Sequence, residues 1–230
     1  RKMINANADA MGIIFPNNYD KFVPELVSER LMASIPFASR YRMIDFLLSS
    51  MVGCGIDKIE VLVRENYHSL VDHLGGGREW DLSRKNGGLS IFPPFAQKSI
   101  GSMGGGRVEA LANILPVLKK QKEKYVIMAD TNIAANFDFN ALIAQHVKTD
   151  ADITFAYTKE ELPQELTGAK DASKGLYYTL KLDGDKVEDI YINKQEQGVQ
   201  NFSMNIYIAN REWLIDTINA AFMVYHSDRK

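Results

Sequence analysis

The sequence is poor in cysteine and has no long apolar run. Its 230 residues contain one cysteine, Cys54, which excludes an intrachain disulfide framework and favours a reducing compartment. We expect a packed thiol rather than a catalytic one, because Cys54 lies in an apolar stretch. No apolar run approaches the ~18 residues that a membrane-spanning helix needs, and the N-terminus lacks a charged segment followed by an apolar core. These absences predict a cytoplasmic protein with no membrane partner.

The chain also lacks a large excess of positive or negative charge. The chain has 27 basic and 29 acidic residues, a formal net charge of -2, and no long run of either sign, which argues against a nucleic-acid partner. With 46% hydrophobic residues, the composition excludes intrinsic disorder and suffices for a full core. His68 and His73 have no third ligand nearby in the sequence, which disfavours a zinc site. We expect residues 1–230 to form a single domain.

Apolar segments of strand length alternate with longer segments of helical period. This alternation predicts an α/β fold with a Rossmann-like, mostly parallel sheet and helices on both faces. The turn of a hairpin is predicted at Asp183-Gly184-Asp185. In the first helix we expect one face to be shared by Met43, Phe46, Leu47 and Ser50. The predicted strands cover residues 10–15, 58–63, 89–92, 125–130 and 152–157, and the helices cover 42–52, 67–74, 108–121, 140–148 and 212–222.

Four segments of the sequence carry a family signature. Residues 35–46 read IPFASRYRMIDF, and residues 73–88 read HLGGGREWDLSRKNGG. Residues 125–130 read YVIMAD, and residues 203–208 read SMNIYI. Together they resemble the PFGGRYRIIDF, HxGxGxxWDLxRxxGG, strand-end aspartate and SMGIYIF motifs of glucose-1-phosphate adenylyltransferases. The resemblance spans nearly the whole chain and implies the nucleotide-diphospho-sugar transferase fold.

Members of that family use ATP and glucose 1-phosphate, with magnesium, to make ADP-glucose and pyrophosphate in glycogen or starch synthesis. Such chemistry needs backbone donors for the triphosphate, cations for developing charge and metal-binding carboxylates. The resemblance implies that Asp130 binds Mg²⁺. It also implies a vestigial substrate site at Arg40, Arg42, Asp45, Gly106, Gly175, Lys194 and Ser203.

Ordinary structural roles remain open for these residues. Asp130 fits a loop or helix cap, and Lys194 fits a solvated cation on a hairpin. Arg42 and Asp45 are three residues apart and fit a surface pair on one helix. For Trp80 we favour a role as an anchor of its loop over stacking on a ligand or subunit.

The sequence departs from the family at its phosphate-binding positions. Active members continue the first strand into GGxGxRL, whereas residues 12–21 here read GIIFPNNYDK, without those glycines or the arginine. Pro16 removes a backbone donor, and Phe15 stands where a ligand would approach the backbone. Met32 replaces a family lysine. In place of GTAD, residues 106–109 read GRVE, so that Arg107 adds bulk that would fill the nucleotide pocket.

The chain keeps the motifs of the family scaffold but has lost residues at the phosphate-binding positions. This combination resembles the D-type subunits of bacterial glycogen-synthesis pyrophosphorylases. We therefore predict a regulatory subunit that assembles with a catalytic pyrophosphorylase subunit. One alternative is an active enzyme in which Lys21, Arg30 and Arg107 take over the phosphate contacts. Another is a sensor that binds glucose 1-phosphate or another sugar-phosphate effector at Lys194. These 230 residues do not include the family's C-terminal left-handed β-helix, and they start at Arg1. We therefore expect a piece of a longer chain, with a genuinely short protein as the alternative.

Overall fold

A computed structural model of the chain describes residues 8–16, 32–37, 41–63, 66–83, 87–92, 107–167 and 176–227. Three of the predicted substrate residues, Arg40, Gly106 and Gly175, lie outside these ranges. Lys21 and Arg30, the alternative phosphate ligands, also lie outside them.

The described residues form ten strands and six α-helices, with short 3-10 turns at Met32–Ser34, Arg78–Trp80 and Gln164–Leu166. The strands are β1 (Ala10–Phe15), β2 (Pro36–Phe37), β3 (Tyr41–Arg42), β4 (Lys58–Leu62), β5 (Gly88–Phe92), β6 (Tyr125–Asp130), β7 (Ile153–Glu161), β8 (Tyr178–Asp183), β9 (Lys186–Ile192) and β10 (Val199–Asn210). The helices are α1 (Met43–Gly53), α2 (His68–Leu74), α3 (Arg107–Asn113), α4 (Leu115–Lys120), α5 (Phe139–Thr149) and α6 (Arg211–Ser227).

Eight of these strands join in one sheet with the order β5-β4-β1-β6-β10-β8-β9, in which β7 also pairs with β10. Strands β5, β4, β1 and β6 are parallel to one another. Strand β10 runs antiparallel to β6, β7 and β8, and β9 is antiparallel to β8. The predicted α/β class is confirmed, and the parallel part of the sheet is joined to an antiparallel extension.

Helices cover both faces of the sheet, as alternating side chains of β1 show. Ala10 and Ile14 belong to a core cluster that includes α1, α2 and α5, which we call the first face. Met11, Ile13 and Phe15 belong to a second cluster, the second face, with residues of α3, α4 and α6. Since successive residues of a strand point to opposite sides, the two clusters lie on opposite faces. The prediction of helices on both faces is confirmed.

Two helix predictions need correction. The predicted helix over 108–121 is two helices, α3 and α4, separated at Ile114, where φ is -101° and ψ is 7°. Pro116 lies in the first turn of α4, and its missing N–H would leave a continuous helix without one hydrogen bond. In α1, Met43 and Phe46 are only half-buried, and the fully buried face is instead formed by Ile44, Leu47, Leu48 and Met51.

Strand β10 is the longest strand and was not predicted as one, because its first half mixes polar and apolar residues without strict alternation. By contrast, β1 and β6 lie at the predicted residues and are buried along their whole length. The predicted hairpin is confirmed, since Asp183 pairs with Lys186 across a two-residue turn.

Several single-residue predictions also agree with the structure. Cys54 is buried and packs in the first-face cluster. Trp80 packs against the same cluster, and its ring centroid lies 6.0 Å from that of His73 in an edge-to-face arrangement, as expected for an anchor of its loop. Among the helices described, none combines the length and apolarity needed to cross a membrane.

Candidate functional site

The candidate site lies where β1 and β6 end side by side. Phe15 and Asp130 are register partners at the carboxyl ends of these parallel strands. Open α/β sheets place their ligand sites at this edge. The Asp130 carboxylate has no exposed surface, and Pro16, which follows β1, is also buried. The structure therefore places a buried negative charge at the position where the family resemblance predicts a metal ligand.

The guanidinium group of Arg107 is the counter-charge of Asp130. Arg107 is the first residue of α3, and its Nη2 forms an ion pair and hydrogen bond with Oδ2 of Asp130. Its Nη1 donates a hydrogen bond of 2.9 Å to the hydroxyl of Tyr207. The guanidinium carbon lies 5.5 Å from the ring centroid of Phe15 and 5.3 Å from that of Tyr207. Such distances permit cation–π attraction.

An irregularity of β10 positions the Tyr207 hydroxyl. The pairing of β10 with β7 shifts register between Ser203 and Tyr207, and Asn205 within this bulge has a φ of 55°. The Tyr207 hydroxyl donates to Oδ1 of Asn205 at 2.8 Å, while the Asn205 N–H donates to the Ser203 hydroxyl at 3.2 Å. The predicted site residues Ser203 and Asp130 thus belong to one hydrogen-bonded network that runs through Asn205, Tyr207 and Arg107.

Tyr178 of β8 lies in the same electrostatic environment. Burial raises the pKa of its phenol above the ordinary value, the charge of Arg107 acts in the opposite direction, and Tyr207 and Asp130 act with burial. The Tyr178 side chain is therefore a neutral hydroxyl beside the network.

The side chains around Asp130 are not suited to hold a resident metal ion. Magnesium sites usually combine one or two carboxylates with water and substrate phosphates in an octahedron. Across the described ranges, no cluster of three or more histidine, cysteine, aspartate or glutamate side chains is arranged to hold a metal. The one carboxylate at the sheet edge that the family resemblance assigns to metal, Asp130, is instead bonded to Arg107.

Asp45 caps the backbone of Arg42, and the side chains of both residues reach other elements of the fold. Oδ2 of Asp45 accepts the backbone N–H of Arg42 at 2.8 Å, and Oδ1 lies 2.7 Å from Nε2 of His73 in α2. The Arg42 guanidinium donates to the Ser34 carbonyl at 2.5 Å and to the Ser69 hydroxyl at 3.3 Å. Asp45 is buried, so the expected surface pair is replaced by a network that fixes the start of α1 against α2.

Lys194 follows β9 and is more exposed than the network around Asp130. Its ammonium group lies 2.8 Å from Oε2 of Glu196 and 4.1 Å from the ring centroid of Tyr191. The hydrogen bond with Glu196 raises the pKa of Lys194 above its ordinary value. The side chain is 38% exposed, so this charged group is open to solvent.

Sequence reasoning identified Arg107 as bulk in a nucleotide pocket but missed its partner. It also missed Tyr207 and Asn205 as parts of the site. One signal was present, since Asn205 stands at the glycine of the SMGIYIF motif, and asparagine tolerates a positive φ better than most residues.

Comparison with known proteins agrees with this architecture. The fold defines an α/β protein with a mostly parallel central sheet. The chain belongs to the nucleotidyl transferase family, whose sequence profile matches residues 25–171. Members of this family generally use a divalent metal.

Two groups of curated relatives match the chain. It is 36% identical over 151 residues to the glycogen biosynthesis protein GlgD of Geobacillus stearothermophilus, covering 64% of this chain and 43% of the relative. It is 32% identical over 197 residues to a glucose-1-phosphate adenylyltransferase of Clostridium novyi, covering 83% of this chain and 49% of the relative. The chain thus spans about half the length of these relatives.

A solved structure shows the same fold. A crystal structure from Bacillus anthracis, described as a glucose-1-phosphate thymidylyltransferase in complex with a sucrose, superposes with a TM-score of 0.65. The match covers 88% of this chain and 72% of that one, at 12% sequence identity. At this identity, the likeness extends to the fold alone.

Proposed function

We propose that this chain is the nucleotidyltransferase-like domain of a regulatory subunit in glycogen biosynthesis. The subunit assembles with a catalytic glucose-1-phosphate adenylyltransferase and modulates its rate or its response to effectors. It acts in the cytoplasm, where the buried thiol of Cys54 stays reduced. The names of the GlgD and adenylyltransferase relatives support this context.

The observation that carries the proposal is the ion pair between Arg107 and Asp130. Adenylyl transfer needs cations placed around the triphosphate and a metal held by carboxylates. Here the strand-end carboxylate is already bound by an arginine of the same chain, and that arginine also bonds Tyr207. Pro16 contributes no backbone donor directly after β1. The magnesium of the reaction therefore belongs, in this proposal, to the catalytic partner.

The alternative of an independent enzyme required Arg107 to contact phosphates. An arginine bonded to a fully buried aspartate and to a tyrosine hydroxyl is poorly placed for that role. A sugar-phosphate effector remains part of the proposal, with the exposed ammonium group of Lys194 as the candidate contact.

Pyrophosphate release from ATP and glucose 1-phosphate with magnesium tests the proposal. We expect no turnover by the protein alone and an altered rate or effector response when it is mixed with a catalytic adenylyltransferase. A matched amount of serum albumin controls for nonspecific stabilisation, and sedimentation velocity of the mixture reports assembly. Turnover by the protein alone would contradict the proposal, as would a mixture that neither assembles nor changes in rate.

A further inference from the structure

We infer that Arg107 is a resident cation that takes the place of a divalent metal ion at Asp130. The sheet edge is then neutralised by the chain itself and needs no ion from solution. The inference rests on the proposed non-catalytic role, because a catalytic site would have to release Asp130 to metal and nucleotide.

The first argument is charge balance. The Asp130 carboxylate is fully buried, and a buried carboxylate without a counter-charge is strongly unfavourable. A guanidinium remains protonated at any physiological pH, so Arg107 supplies a permanent positive charge. Because its side chain is only 27% exposed, solvent screens this pair weakly.

The second argument is that the guanidinium is fixed in place. Besides Asp130, it contacts the Tyr207 hydroxyl and the rings of Phe15 and Tyr207. The Tyr207 hydroxyl uses its proton on Asn205, which leaves an oxygen lone pair directed to Arg107. Asn205 takes its position from the bulge in β10, so the backbone itself orients the site.

The third argument is that two cations are not compatible here. A divalent ion bound by Asp130 would lie within a few ångströms of the guanidinium, where like charges repel strongly at a buried site. It would also have to displace the guanidinium from one oxygen of Asp130. Arg107 stands where the family motif GTAD has threonine, so one side chain explains both the added charge and the lost metal site.

Mn²⁺ serves as a spectroscopic probe of the site. Electron paramagnetic resonance of free Mn²⁺ should show the same binding isotherm for the wild-type protein and for Asp130→Asn. Arg107→Thr should lower the Tm by roughly 10 °C, since it leaves a buried carboxylate uncompensated. Millimolar Mn²⁺ should restore several degrees of that loss and should leave the wild-type Tm unchanged.

Matched variants assign the effect to the two residues. The rescue by Mn²⁺ should vanish in Arg107→Thr/Asp130→Asn, and Arg107→Lys, which keeps a cation, should be stable without Mn²⁺. Mn²⁺ binding by the wild-type protein that Asp130→Asn removes would overturn the inference. An unchanged Tm in Arg107→Thr, or a lowered Tm that Mn²⁺ does not raise, would also overturn it.

If Arg107→Thr fails to fold, the comparison of Mn²⁺ binding by the wild-type protein and by Asp130→Asn still tests the inference. These readouts involve no turnover. Metal binding at Asp130 in a protein without turnover would therefore refute the resident cation, whereas turnover by the protein alone would refute the proposed regulatory role.

Discussion

At the scale of single residues, two side chains stand out by their backbone or burial. Asn205 adopts a φ of 55° inside β10, a conformation that costs most residues roughly 1 kcal/mol or more. Glu60 is a carboxylic acid in the interior of β4, with 4% of its surface exposed. Its register partner Ile13 belongs to the second-face cluster, so the carboxyl group points into an apolar core. Within the part of the chain that the structure describes, Oε2 of Glu60 is buried without a hydrogen-bond partner.

Burial raises the pKa of Glu60 to about 7, although a hydrogen bond from Ser90 and the charge of Lys58 act in the opposite direction. In the unfolded chain this carboxyl has the ordinary glutamate pKa of 4.5. The folded state therefore holds a proton that the unfolded state releases between these two pH values. The stabilisation from this group is complete below about pH 4.5 and is lost as the pH rises through 7.

Glu60→Gln should remove this pH dependence. At pH 8 we expect the variant to unfold with a free energy higher by roughly 1–2 kcal/mol, because an ionised carboxylate no longer has to be buried. At pH 5 the two proteins should differ little. Urea denaturation at both pH values measures the effect. The matched control is Glu188→Gln, an exposed glutamate, which should not shift the pH profile. A difference in unfolding free energy between Glu60→Gln and wild type that is the same at pH 5 and pH 8 would contradict the assignment.

At the scale of elements, the start of α5 is set by one side chain. Oδ1 of Asp138 accepts the backbone N–H of Ala141 at 3.1 Å, which satisfies one of the free donors in the first helical turn. Its negative charge also lies at the positive end of the helix dipole.

Asp138→Ala should lower the free energy of unfolding by about 1 kcal/mol, because the N–H of Ala141 then loses its partner. Asp138→Ser keeps a capping oxygen and should lose much less. Urea midpoints of the three proteins provide the measurement. Equal midpoints for the alanine and serine variants would show that the cap does not stabilise α5.

The local sequence predicted a strand well where a single feature, an apolar run, specified it. Strands β1 and β6 are mostly apolar runs that begin directly after the charged residues Asp9 and Lys124, and both lie at the predicted residues. The break before α4 was missed because helical periodicity continued through Pro116. The network at the sheet edge joins Arg107, Asp130 and Tyr207, which are distant in sequence. Tertiary folding alone brings these side chains together, and no local rule predicts their contact.

At the scale of the whole molecule, two core clusters share one sheet. Ile44 of α1 is fully buried on the first face, and Ile218 of α6 is 2% exposed on the second. Both clusters include alternate residues of the same strands, so neither face can lose its packing without exposing the sheet between them. We therefore expect the two core clusters, with the strands they share, to unfold cooperatively.

Ile44→Val and Ile218→Val should each lower the free energy of unfolding by about 0.5–1.5 kcal/mol. Because the sites lie on opposite faces, the double variant should show the sum to within about 0.5 kcal/mol. Chemical denaturation followed by circular dichroism and by tryptophan fluorescence should give coincident transitions. Separate transitions, or a strongly non-additive double variant, would indicate that the faces do not behave as one cooperative unit.

The parallel half of the fold and the family were predictable because they depend on strand patterns and on long motifs. The antiparallel extension was less predictable, since β10 lacks strict alternation and pairs with strands on both sides. The metal role of Asp130 was inferred from the family's strand-end aspartate motif. Its actual charge partner depends on how α3 packs over that edge, which the motif does not specify.

The β8 and β9 hairpin has an uneven attachment to the rest of the sheet. Its own two strands share six register pairs, whereas its register with β10 is the single pair Phe202 and Thr179. Most side chains of β9 are exposed. The hairpin therefore has the properties of a separate foldon. Its amide hydrogens should exchange with solvent through a local opening, well before those of the buried β1 and β6, whose exchange awaits global unfolding.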